Sequence, residues 1–150
     1  MKFHNFDIVF QEIPDEVTLA VNITNCPNHC EQCHSPHLQT DTGELLSTDA
    51  IDCLLDRYGE LITCFCFMGG DADIPELERL AQHICDHYEL KIGWYSGRTF
   101  MPPHPELFDY VKLGPYLPER GSLKSPNTNQ RLYRRDDEEW VDITDRFWKK

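Results

Sequence analysis

Positive charge is scarce in this chain. Lysine and arginine number 14 against 26 aspartates and glutamates, a formal net charge of -12 over 150 residues. A surface that acidic repels phosphate, so nucleic acid and anionic membrane are not expected partners. A protein or a small molecule fits better. Long apolar runs are also lacking, and none approaches the length that crosses a bilayer. The opening stretch MKFHNFDIVF has no extended apolar core and no small-residue cleavage site, so no secretory signal is expected. Low-complexity sequence is missing too. Together these absences lead to the expectation of a cytoplasmic protein. An even cysteine count is lacking as well, since there are seven. In a reducing compartment, seven cysteines argue against a disulfide framework and for core thiols or metal ligands.

What is present suits one domain over residues 1-150, with 40% hydrophobic residues to build its core. VTLAVNIT, residues 17 to 24, reads as a strand, with residues 6 to 11 as a short antiparallel partner. Residues 48 to 58 read as a helix, because Ile51, Leu54, Leu55 and Tyr58 share one face. Ser47 or Thr48 caps its start and Gly59 ends it. LITCFCFM, residues 61 to 68, has the continuous apolar pattern of a strand covered on both faces. A second helix is expected from about 74 to 88, with Asp73 as N-cap, Glu76 at the capping-box position and Pro75 in the first turn. Strands follow at 90 to 95 and 107 to 113. Residues 114 to 130 lack periodicity and read as a functional loop. Residues 131 to 144 read as a hairpin around the acidic turn DDEE. This alternation predicts an α/β fold with too few units for a closed eightfold barrel, hence a short, open partial (βα) barrel.

The chemistry is concentrated in NCPNHCEQCHSP, where Cys26, Cys30 and Cys33 stand in C-x3-C-x2-C spacing. Three thiolates this close, in a loop leaving a strand, reach three irons of a cubane cluster and leave the fourth open. Zinc is the alternative, with His29, His34 or His37 as a fourth ligand. Spacing leaves both open, and a non-catalytic zinc-binding interaction module stays in view.

The cysteine loop resembles that of the radical S-adenosylmethionine superfamily. FMGGDADIPEL resembles the glycine-rich strand end with which that superfamily holds the ligand's amino group. WYSGRTF resembles a Tyr-Thr-Gly-Tyr-Thr stretch, and SPNTNQRLYR a Ser-Asn-Gln-Arg signature, both of one branch. That branch comprises the activating proteins of the anaerobic ribonucleoside-triphosphate reductase. The resemblance covers residues 6 to 135. It implies a [4Fe-4S] cluster on Cys26, Cys30 and Cys33, and S-adenosyl-L-methionine contacted by Gln32, Cys33, His34, Gly69, Gly70 and Asp71. It further implies the reductase large subunit as partner, where a glycyl radical is generated, and reduced flavodoxin as electron donor. A different glycyl-radical enzyme or a small molecule is the alternative substrate. There are departures from the pattern. Gln32 stands where many members have an aromatic residue, Ala72 where the branch has proline, and Arg98 where it has a second aromatic.

The other candidates have plainer readings beside the functional ones. Gly69-Gly70-Asp71 also suits an ordinary strand-to-helix turn with Asp71 as a cap. Cys64 and Cys66 share one strand face, as a second metal site or as small core residues. Cys53 and Cys85 read as packing or surface thiols on helices. Tyr95, Ser96 and Arg98 end a strand and are expected near the site. Asn129, Gln130 and Arg131 serve either a ligand or the cap of the last strand. Segments 97 to 106 and 114 to 130 are expected to form the rim of an open active centre.

Overall fold

The computed structural model describes residues 1 to 24 and 43 to 148. Its centre is an eight-stranded open sheet. The strands are β1 (Lys2–Val9), β2 (Thr18–Ile23), β3 (Glu44–Leu45), β4 (Cys64–Met68), β5 (Lys91–Tyr95), β6 (Tyr110–Leu113), β7 (Arg131–Asp136) and β8 (Glu139–Asp142), in the order β3-β1-β2-β4-β5-β6-β7-β8. The four central strands, β2, β4, β5 and β6, run parallel. The pairs at the margins are antiparallel. The expected α/β class is observed, and the sheet does not close into a barrel.

Burial explains why the centre is parallel. In β2, five of six residues are buried, and in β4 Cys64 to Phe67 are all buried, so both faces are covered. Side chains alternate across the sheet. Leu19, Val21, Phe65, Phe67, Ile92 and Val111 face two helices, α1 (Thr48–Tyr58) and α2 (Ile74–His87), which contribute Leu54, Leu55, Leu77, Leu80 and Ile84. Fully burying one such phenylalanine contributes about 1.5–3 kcal/mol. Cys64, Cys66, Tyr110 and Leu132 face the other way and pack with Ile13, Leu123 and Ile143. Residues 114 to 130, expected to form a surface rim, contribute to the core as well, since Leu123 and Thr128 are buried.

Both helices start on the expected caps. Ser47 Oγ accepts from Ala50 N at 3.1 Å, and Asp73 Oδ1 from Glu76 N at 3.3 Å. The capping box at Asp73 is not reciprocal, because the Glu76 carboxylate turns to Arg79 at 2.6 and 2.9 Å. The strand expected from 61 starts at Cys64, because Gly59–Leu61 continue α1 as a 3-10 turn. Likewise the strand expected from 107 starts at Tyr110, after a 3-10 turn at Pro105–Leu107. The hairpin around DDEE is present, with Asp137 at φ 58° in its turn.

Candidate functional site at the carboxyl ends of the parallel strands

Parallel strands end at a common edge. In register, Asn22 pairs with Met68, Met68 with Tyr95, and Tyr95 with Lys112. The segments beyond them gather there: Thr24 after β2, Gly69-Gly70-Asp71 after β4, Ser96-Gly97-Arg98 after β5, and Gly114 after β6. In α/β folds ligands bind at this edge. The cysteine segment leaves from it, since Cys26 follows Thr24 by two residues. Cys26, Cys30, Cys33, Gln32, His34, His29 and His37 themselves lie outside the described residues.

Gly69 and Gly70 have φ values of 111° and 98°, which side-chain-bearing residues rarely adopt. A Cβ on Gly69 would lie 3.3 Å from the Ile23 carbonyl oxygen. One on Gly70 would lie 3.2 Å from Leu77 and 3.4 Å from Ile23. The glycines thus let the β4 turn close against the end of β2. Gly69 O accepts from Trp94 Nε1 at 2.8 Å, and Gly70 O from Asp73 N at 3.2 Å. Each carbonyl keeps a second lone pair for a ligand donor. A cavity of about 290 Å³ lies beside this turn, lined by Met1, Ile23, Thr24, Gly70 and Asp73 among others.

Asp71 is not the helix cap; Asp73 is. Its buried carboxylate accepts from Ser96 Oγ at 2.6 Å and from Gly97 N at 2.9 Å, which ties the end of β4 to that of β5. Ser96 Oγ in turn accepts from Arg98 N at 3.0 Å. Next to it, buried Lys112 donates to Ser96 O at 3.1 Å and Gly114 O at 3.0 Å, with its ammonium 5.7 Å from the Tyr95 ring centre. The sequence signal for Lys112 is a charge inside the otherwise apolar run YVKL. A second cavity, about 440 Å³, opens on this face between Glu12, Tyr95, Lys112, Tyr116, Leu123 and Gln130. The Tyr95 hydroxyl donates to the Glu12 carbonyl.

The remaining cysteines sort by burial. Cys64 and Cys66 are fully buried, and that burial pushes both thiols well up, so they stay protonated. Cys66 Sγ contacts Met68 Sδ at 3.6 Å. Among the described residues no group of three metal-ligating side chains could hold an ion, so nothing there supports a second metal site at this pair. Cys53 and Cys85 are exposed on α1 and α2. Four of seven thiols are thus accounted for away from the cysteine loop. The three that remain, Cys26, Cys30 and Cys33, are the thiols the sequence offers to a metal or a cluster.

At the opposite edge lies a network with no sequence signal. Buried Glu16 accepts from Thr63 Oγ1 at 2.7 Å, Tyr110 OH at 2.7 Å and Lys91 Nζ at 2.9 Å. Burial alone would raise its pKa, but these three donors together hold it below the usual carboxylate value. The network fastens β4, β5 and β6 where they begin, at the edge opposite the candidate site. No family model, curated protein or solved structure matches the chain.

Proposed function

We propose that the chain is a radical S-adenosylmethionine activase that installs a glycyl radical on the anaerobic ribonucleoside-triphosphate reductase, working as a short, open half-barrel. The observation that carries this reading is the closure of the Gly69-Gly70 turn against Ile23, immediately before the three-cysteine segment. A zinc module has no use for two glycines at positive φ there.

Cys26, Cys30 and Cys33 would hold a [4Fe-4S] cluster. When bound, that cluster supplies the electron that splits S-adenosylmethionine into methionine and a 5′-deoxyadenosyl radical, which takes a hydrogen atom from the partner's glycine. The chain's own part is positioning. The free lone pairs of Gly69 O and Gly70 O face an ammonium donor. The Asp71–Ser96 bond locks the end of β4, where those carbonyls sit, to the end of β5, so their aim is preorganised. Segments 97 to 106 and 114 to 130 form one wall, and the docked partner the other, which excludes water from the radical. Reduced flavodoxin is the proposed donor and the cytoplasm the proposed compartment.

The test is anaerobic reconstitution with iron and sulfide, followed by reduction in the presence of S-adenosylmethionine. Brown protein that releases 5′-deoxyadenosine and methionine supports the reading. Colourless protein carrying zinc refutes it.

A further inference from the structure

The cavity of about 440 Å³ lies on the sheet face turned away from α1 and α2. Among the described residues, its lining does not include Gly69, Gly70 or Asp71. Its volume is that of a site for one small molecule. Part of its wall is apolar: Tyr95 and Phe147 pack on the buried cluster that contains Leu123, and all three line the cavity.

Charge sets this place apart from the rest of the chain. Overall, acids outnumber bases 26 to 14. Around the cavity the ratio inverts, with Lys112 and Lys124 against Glu12. Lys112 is buried, and its ammonium is fixed by Ser96 O at 3.1 Å and Gly114 O at 3.0 Å. Buried Gln130 turns its Nε2 toward the same Gly114 carbonyl at 3.5 Å, so ammonium and amide stand side by side at the floor. Asn129 is tied to the loop itself, its Nδ2 donating to Pro115 O at 3.0 Å. Lys124 is exposed and marks the mouth. Its Nζ lies 3.5 Å from Gln11 Oε1, so the two segments face each other across the opening. Glu12 accepts from Gln11 N at 3.3 Å through one carboxylate oxygen, and its carbonyl accepts from the Tyr95 hydroxyl.

A buried positive charge acts on an anion over several ångströms, because low-dielectric walls screen it weakly. Lys112 therefore contributes its field without giving up either carbonyl. Lys124 reaches the ligand directly. A polyanion is a poor occupant, since the net charge of -12 repels it at a distance. One negative charge on a compact apolar body fits the cavity's size, its walls and its two lysines. We propose that the cavity binds a small organic monoanion, an aryl carboxylate in class, with its ring against Tyr95, Leu123 and Phe147 and its carboxylate at Lys124 in the field of Lys112. This site is independent of the activase reading.

The experiment titrates the full chain, purified without oxygen, with 2-naphthoate and separately with 2-naphthamide, which has nearly the same shape and no charge. Two-dimensional amide NMR reads affinity and locates the site. Naphthoate is expected to bind about tenfold tighter than naphthamide, with shifts concentrated at Tyr95, Lys112, Leu123 and Gln130. Lys124→Glu, at an exposed position, is expected to weaken naphthoate about threefold or more and to leave naphthamide unchanged. Lys112→Met removes the charge at the floor and is expected to weaken naphthoate likewise. Should that variant fold poorly, the two probes on the native chain and on Lys124→Glu carry the test. Equal affinity for the two probes, no binding of naphthoate, or shifts away from the cavity overturns the site. Displacement of naphthoate by S-adenosylmethionine overturns it too, because the cavity would then belong to the cofactor's own site.

Discussion

The carboxylate of Asp71 lies 2.6 Å from the hydroxyl of Ser96, 25 residues away in sequence, and both are buried. This contact joins the ends of β4 and β5 at the edge that carries the glycine turn. Removing it should loosen the site before it unfolds the domain. Asp71→Ala leaves the Ser96 hydroxyl and the Gly97 N–H unpaired and should cost about 1–3 kcal/mol. Ser96→Ala should cost less, since Gly97 N still bonds Asp71. Urea midpoints give both values. Asp71→Ala with wild-type stability would show that the clamp contributes nothing.

Gly70 sits at φ 98°, and a Cβ there would lie 3.2 Å from Leu77, tighter than ordinary van der Waals contact, and 3.4 Å from Ile23. Gly70→Val is therefore a packing defect as well as a ligand defect. It should lower stability by about 2 kcal/mol or more, with Gly70→Ala milder. A Gly70→Val protein with an unchanged urea midpoint would contradict the packing described here.

Thiol reactivity should follow burial. In the native state iodoacetamide should label exposed Cys53 first. Cys85 should follow more slowly, because partial burial and then Asp109 and Asp86 raise its pKa. Cys64 and Cys66 should label only on unfolding. Peptide mass spectrometry reads all four, and early labelling of Cys66 would refute its place inside the sheet.

Acid should act through Glu16. Its folded pKa lies below the usual carboxylate value. The stability it contributes is full above that value and is lost as pH falls through the folded pKa, where the native state must also take up the proton. Tyr110→Phe and Lys91→Met should flatten this acid limb in urea titrations. His104 works in the opposite sense. Its bond to Glu78 raises its pKa, so its contribution is present below 6.5 and lost as pH rises through the folded value. An acid limb unchanged in Tyr110→Phe would remove Glu16 from the account.

Local signals carried the helices. Ser47 and Asp73 cap them, and Ile51, Leu54, Leu77, Leu80 and Ile84 show the expected stripe and burial. Strand starts were harder, because apolar residues such as Leu61 look the same in a 3-10 turn as in a strand. Leu61 is exposed and lies outside the sheet. β1 was expected at 6 to 11 but occupies Lys2–Val9, since its register is set by pairing with β2 and β3 rather than by its own pattern. The roles of Asp71, Lys112, Glu16 and Asn129 depend on partners distant in sequence, and no spacing rule reaches them. The cysteine loop rests on spacing and resemblance alone, since its residues lie outside those described.

The most direct measurement of the central claim is electron paramagnetic resonance on anaerobically reconstituted, reduced protein, with and without S-adenosylmethionine, on the native chain and on Cys30→Ala. The account predicts about four irons and four sulfides per chain, a reduced-cluster signal that changes shape when S-adenosylmethionine is added, and loss of the signal in Cys30→Ala. A native chain that binds zinc and gives no cluster signal, or a Cys30→Ala protein that keeps the full cluster and still responds to S-adenosylmethionine, would contradict it.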